Sequence, residues 1–415
     1  MTPEIKQRIE QIRRGEVPEG YVKKRKVVIP QQWGLPQIKD IASISSGSTP
    51  NRNNSEYWNG NIAWVTTGEL SSGHVNHTSE LITVKAVNET KVRIYPQGTL
   101  LMAMYGQGKT RGTVAILEID AAVNQACAAI TVKDGKSKFL FYQLKNSYQD
   151  IRKLSNTGNQ ENLNADIIKT YQVPWAPDEE QERISTILTT QDKVIKLKEK
   201  RLAEKQRQKK YLMQQLLTGK KRLPGFNGAW KTDCLGKLFF ERKETNCENI
   251  EMLAITGTQG IIPRKELDLK DNSSEDKSKY LRVCVGDIGY NTMRMWQGVS
   301  AYSNYEGIVS PAYTILKPSS SINAKYFAYL FKMSEIVFLF YRFSQGLVDD
   351  TRNLKYESFK KIKVCYPPDM KEQTAIAEVL SAADREIELF QQDIEQEKQK
   401  KKALMQLLLT GIVRV

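Results

Sequence analysis

Residues 103–110, AMYGQGKT, come close to a phosphate-binding loop: Gly108, Lys109 and Thr110 occupy the closing Gly-Lys-Thr positions, and Ala103 replaces the usual first glycine. A phosphate loop works because it follows a strand and opens a helix, whose first amide N–H groups point at the anion. The next residues here, RGTVAILEI, are β-branched and alternating, which is the pattern of a strand. The stretch is expected to join two strands and to bind no nucleotide.

A second loop repeats the plan. QGTLLMAMYGQGKTRG (97–112) and VGDIGYNTMRMWQG (285–298) each begin a strand with a Gly-polar-apolar run, then pass through a methionine and an aromatic to a Gln-Gly turn. Tyr105, Gln107, Lys109 and Arg111 in the first, and Asn291, Arg294, Trp296 and Gln297 in the second, are predicted to be exposed and to face nucleic acid. Arginine can donate to guanine O6 and N7, Gln or Asn can pair with adenine N6 and N7, and lysine can neutralise a phosphate. The same letters also suit plain hairpin loops, with Trp296 and the methionines packed inward.

Signatures of catalysis are missing. The sequence has no Asn-Pro-Pro-aromatic or Asp-Pro-Pro-Tyr motif of the kind that holds a flipped base in an amino-methyltransferase. It has no Gly-rich dinucleotide fingerprint and no nucleophile elbow. Cys127, Cys234, Cys247, Cys284 and Cys365 lie far apart, with no CxxC, and the only histidines are His74 and His77. That spacing speaks against a zinc site and against a disulfide framework. The carboxylates of PDEEQ (177–181) stand at a helix start, where they favour the dipole and need no further role. The chain is expected to do no chemistry itself and to hold no metal or cofactor.

The elements that must carry the two loops are written twice. LMQQLLTGKKR (212–222) returns as LMQLLLTGIVR (404–414), and sliding 180–222 onto 372–414 without a gap gives 17 identities in 43 positions. Neither copy contains Pro or Gly before its terminal Thr-Gly, so each reads as a long helix with a glycine stop. A helix of about 40 residues spans ~60 Å. Each has a heptad stripe, Leu188, Ile195, Leu202, Lys209, Leu216 and Leu380, Ile387, Ile394, Lys401, Leu408, apolar except for a lysine at the same place in both. Such a stripe needs a partner helix. Lys193, Lys196, Lys198, Lys200 and Arg201 make the middle of the first copy basic, whereas Glu386, Glu388, Asp393, Glu395 and Glu397 make that of the second acidic. The two copies are expected to pack on each other, antiparallel, around a local twofold axis.

Between the helices stand two segments, 31–177 and 223–369, each opening near a tryptophan (Trp33, Trp230) and closing at a proline stretch, VPWAPDEEQ or YPPDMKEQ. Runs such as GTVAILEI and SPAYTIL read as strands between Gly, Asn and Ser turns. The reading is therefore α+β: a basic N-terminal segment (1–30), a globule (31–177), a helical region (178–222), a second globule (223–369) and a second helical region (370–415). Net charge is +15, concentrated in residues 180–222, with 13 basic and 5 acidic side chains, and around Lys23 to Lys26. A polyanionic partner is compatible with that excess. No run of 18 apolar residues exists and the charged N-terminus lacks the apolar core of a signal peptide, so no membrane partner is expected and the expected location is the cytoplasm.

With these elements in view, the sequence resembles the specificity (S) subunits of type I restriction–modification systems. The likeness rests on GSTPNRNNSEYWNGNIAWVTTGEL (47–70), NTMRMWQGVSAYSNYEGIVSPAYTIL (291–316), the Pro-to-EEQ and Pro-to-KEQ helix starts and the two LM-Q-x-LLTG helix ends. The resemblance implies two target-recognition domains separated by two conserved helices. Each domain would read one half of a split, asymmetric site in double-stranded DNA, and the helices would set the spacing. It further implies two methylation subunits docked around the chain, which bind S-adenosylmethionine and methylate adenine, with restriction (translocase–nuclease) subunits joining them. The two globules share little beyond their edges and loop plan, so they are expected to read different half-sites. Two rival readings fit the same residues: a protein-only adaptor built on a coiled coil, and a DNA-acting enzyme with an unrecognised site.

Overall fold

The computed structural model describes residues 2–106, 108–154, 162–247, 250–257, 259–267 and 276–415. Two long helices stand where the repeat predicts them, Asp178–Leu216 and Met370–Leu408, 39 residues each. The chain forms two compact units, residues 1–197 with 394–415 and residues 198–393. Each long helix thus gives one half to each unit.

In the first unit a five-stranded sheet runs in the order Ala42–Ser46, Cys127–Val132, Leu100–Ala103, Val114–Leu117, His74–Val75, beside a four-stranded sheet, Glu80–Ile82, Trp58–Val65, Ala121–Val123, Ile94–Tyr95. Leu100–Ala103, Val114–Leu117 and Ala121–Val123 are buried along their whole length, which is why they are written as unbroken apolar runs. The motif 47–70 explains itself here. The Arg52 guanidinium lies 4.1 Å from the ring centre of Trp58 and 4.8 Å from that of Trp64, and it pairs with Glu80.

The helix Ser137–Asn146 covers the sheets, and its Phe139 meets Trp33 and Trp175 edge-on. Into the same core come Ile184 and Leu188 from the first long helix, Met405 and Leu408 from the second, and Leu409 just past its end. Gln191 reaches Glu397 and Glu180 binds Arg414 at 2.6 Å, so residue numbers rise along one helix as they fall along the other. Within this unit the two helices are antiparallel. Glu180 is more than a dipole partner: it is buried, and its second oxygen accepts from the Trp33 indole N–H at 2.8 Å. The N-terminal segment forms a helix, Pro3–Arg13, and a hairpin, Tyr21–Lys24 with Val27–Pro30, whose Tyr21 hydroxyl donates to the Gly411 carbonyl at 2.6 Å.

The second unit centres on a four-stranded sheet in the order Phe239–Arg242, Tyr313–Pro318, Ile288–Asn291, Ser300–Tyr302. Helices Ala324–Leu330 and Ser334–Phe343 pack against it through Phe239, Phe327, Phe331, Phe340 and Phe359, mostly edge to face. Leu216, Ile376, Ala377 and Leu380 of the long helices join this core. Lys198 pairs with Asp393 at 2.8 Å, Lys205 with Glu386 at 2.7 Å, and Arg222 with both oxygens of Glu372 at 2.6 and 2.7 Å. The helices are antiparallel here as well, and the basic and acidic middles meet as the charge pattern predicts.

Of the stripe, Leu188, Ile195, Leu216, Leu380, Ile394 and Leu408 are buried, whereas Leu202 and Ile387 are half-buried. The shared lysine is explained by a partner: Lys401 pairs with Asp192 in the first unit and Lys209 with Asp384 in the second.

Candidate nucleic-acid interface

The loop after Leu100–Ala103 leads directly into its antiparallel neighbour Val114–Leu117. No helix opens behind Gly108-Lys109-Thr110, so the amides that would hold a phosphate are not arrayed there. Tyr105 is 40% exposed and Lys109 is exposed, while Gln107 lies outside the described residues.

Arg111 corrects the sequence expectation. It is buried, 6% exposed. The helix Tyr148–Lys153 covers the base of the loop: the Tyr148 hydroxyl donates to the Lys109 carbonyl at 2.7 Å, and Arg152 Nη1 donates to the Arg111 carbonyl at 2.8 Å. An exposed tip therefore stands on a clamped base, and Arg111 belongs to the base.

The second loop joins Ile288–Asn291 to Ser300–Tyr302 through a single 3-10 turn, Met295–Gln297. Arg294 and Gln297 are exposed; Asn291 and Trp296 are half-buried. The last two shape the tip. Asn291 Oδ1 accepts from the Met293 amide at 3.0 Å, and the Trp296 indole N–H donates to the Met293 carbonyl at 2.9 Å. Met295 packs inward, but Met293 is 48% exposed. Behind the turn, Lys332 Nζ donates to the carbonyls of Gly298, at 2.8 Å, and Ser300. The side chain is exposed overall, but desolvation of its ammonium among these carbonyls, with Lys209 nearby, pulls the pKa down to about 8.

Two neighbours of that hairpin escaped sequence reasoning. The helix Ser334–Phe343, SEIVFLFYRF, reads as core by its letters, yet Phe338 is 57% and Tyr341 39% exposed, with their rings stacked. Tyr341 also meets Trp296 edge-on at 6.2 Å. The loop after this helix, 345–353, carries Leu347 and Val348 at its tip, and its Arg352 guanidinium lies 4.1 Å from the Tyr341 ring centre.

A cleft in the second unit has both signs of charge on its walls, with Lys209, Lys325 and Lys332 facing Glu335, Asp384 and Glu388, which is not the uniform basic lining of a phosphate track. Among the described residues no group of three or more His, Cys, Asp or Glu could hold a metal ion, and no helix is long and apolar enough to cross a membrane.

Comparison with known proteins adds a family. A model described as "Type I restriction modification DNA specificity domain" matches residues 30–207 and again 236–399. The chain is similar to the type I restriction enzyme MjaIX specificity subunit of Methanocaldococcus jannaschii, at 33% identity over 178 residues; the match spans 41% of this chain and only 40% of that protein. A putative type I restriction enzyme MjaX specificity subunit of the same organism is 24% identical over 422 residues, 93% of this chain and 95% of the other. The crystal structure of a type I restriction–modification S subunit from M. genitalium shares the fold, with a TM-score of 0.57 at 14% identity over 94% of this chain and 98% of that one.

Proposed function

From the premise that this chain belongs to the family of type I restriction modification DNA specificity domains, we propose that it reads a bipartite, asymmetric site in double-stranded DNA and brings methylation and restriction subunits to it. The carrying observation is the duplicated frame. Two units, each with a core shared by the same two helices, each present an exposed hairpin tip. Tyr105 and Lys109 on one tip, and Arg294 and Gln297 on the other, differ in donors and acceptors, so the two half-sites differ; Gln107 is proposed with the first pair from its place in the sequence. Asn291, Trp296 and Arg111 support the tips from behind, through their hydrogen bonds and burial.

The paired helices are the surface for two methylation subunits. S-adenosylmethionine and the methyl transfer belong to those subunits, and this chain contributes recognition alone. Full-length chain, tested with and without a methylation subunit and S-adenosylmethionine, should support adenine methylation only in the mixture. Methylation by the chain alone would make it an enzyme, and a mixture without any DNA preference would make it a protein-only adaptor.

Replacing 31–177 by the matching globule of a relative should change one half of the methylated sequence and leave the other half intact. The graft must supply a Tyr142 for Asp192, with which it bonds at 2.8 Å, and a Trp33 for Glu180.

A further inference from the structure

We propose that loop 345–353 is a base-contacting element of the second unit and that Leu347 is the side chain that meets the bases; this rests on the DNA-reading function. Leu347 is 99% and Val348 60% exposed. Isolated exposed apolar residues are ordinary, but the loop that carries these is joined through Arg352 to the exposed Tyr341–Phe338 pair, and through Trp296 to the exposed Met293, and a cluster of exposed apolar side chains marks an interaction site.

The loop is built to hold that tip in water. Gln345 and Asn353 exchange two backbone hydrogen bonds, at 2.8 and 2.7 Å, and close its neck. Gly346 takes φ +133°, and a Cβ there would stand 2.7 Å from Arg352 Cα, so the chain passes where only glycine fits. The Thr351 hydroxyl donates to the Val348 carbonyl at 3.0 Å, and Arg352 is laid on the Tyr341 ring. A loop backbone closed in this way leaves less backbone freedom to be lost on binding.

Charge and continuity identify the occupant as duplex DNA. Arg294 and Arg342 are exposed beside the patch, and Asp349 is tied to Arg352 at 3.4 Å. Through Tyr341 and Trp296 the patch runs on into the hairpin tip already assigned to DNA. An apolar tip in a unit that also exposes guanidinium groups suits a base edge flanked by phosphates. The thymine methyl is the apolar group the major groove offers, and aliphatic side chains can also enter a base step.

The test uses the full chain with its methylation subunit, first mapping methylated adenines in cells to define the target. Duplexes with every single-base change across the half-site then measure preference for wild type, Leu347→Ser and Val348→Ser. Leu347→Ser should lower affinity for the intact target about tenfold and relax discrimination at one or two adjacent base pairs. Its unfolding midpoint should not move, since the side chain contributes nothing to the core. If Leu347→Ser keeps full preference at every position while wild type reads the site, the inference falls and the DNA-reading function stands. Loss of the methylation subunit with DNA preference intact would make the patch a protein-docking surface and also overturn the inference. A wild-type complex without any sequence preference would remove both.

Discussion

Lys401 interrupts the apolar stripe of the second long helix, and inside the first unit it is ion-paired with Asp192 of the first long helix. The Tyr142 hydroxyl donates to the other carboxylate oxygen at 2.8 Å, and the ammonium lies 5.5 Å from the centre of that ring. The second unit builds the same triad from Lys209, Asp384 and Tyr329, with the hydroxyl at 2.7 Å and the ring at 5.5 Å. Apolar residues tolerate a slide of one helix along another, whereas a part-buried ion pair with a fixed partner does not. The polar position of the stripe pins the register.

Breaking that pair from either side should give unequal losses. Asp192→Ala strands a lysine whose side chain is 10% exposed and is expected to cost ~2–4 kcal/mol, while Lys401→Met, which refills the space with apolar atoms, should cost less than ~1 kcal/mol. Asp384→Ala should be milder than Asp192→Ala, because Asp384 is 43% exposed against 28%. Chemical unfolding of the full chain measures all three, and equal losses for Asp192→Ala and Lys401→Met would refute the pinning role.

The two helix stops also make a paired prediction. Gly219 and Gly411 both take φ +71°, where any other residue is strained by ~1–2 kcal/mol. An alanine Cβ at 219 would lie 3.3 Å from the Trp230 ring, but at 411 it would lie 2.5 Å from Pro30. Gly411→Ala should therefore lower the unfolding midpoint more than Gly219→Ala, although the same Leu-Leu-Thr precedes both.

Lys332 predicts a pH dependence. Its ammonium titrates near about 8 in the folded chain and at its ordinary value, 10.5, when unfolded. Between those values the unfolded chain binds more protons, so stability rises as pH increases from about 8 towards 10.5 and falls as pH returns through about 8. Lys332→Met should flatten this part of the stability curve relative to wild type. Parallel curves for the two proteins across that window would show that the ammonium is not desolvated where it meets the Gly298 and Ser300 carbonyls.

Arg294→Ala and Arg111→Ala should now separate. The exposed Arg294 is expected to lose ~1–3 kcal/mol of DNA affinity with relaxed preference at one base pair, or uniformly if it meets a phosphate. The buried Arg111 should instead lower the unfolding midpoint and leave base preference unchanged. Competition binding against single-base variants, run beside thermal unfolding, distinguishes them.

Much of the architecture was written locally. The long helices, their glycine stops and the strands flanking both loops follow from period, breakers and the α-left conformation that Gly219 and Gly411 require, all of which act over a few neighbouring residues. The duplication and the opposite charges of its two copies were enough to expect antiparallel pairing. Only the tertiary structure decided which way individual side chains face. Arg111 and Arg294 occupy comparable loops and read alike, yet one lies beneath the helix Tyr148–Lys153 and the other faces solvent. Phe338 and Tyr341 have the letters of a core and stand outside it. Lys209 and Lys401 look like faults in a stripe until Asp384 and Asp192 arrive from a distant part of the chain. Periodicity records which residues share a face of an element, but burial depends on what packs across that face, and those partners lie about 40 residues away for Arg111 and 175 to 209 away for the two lysines.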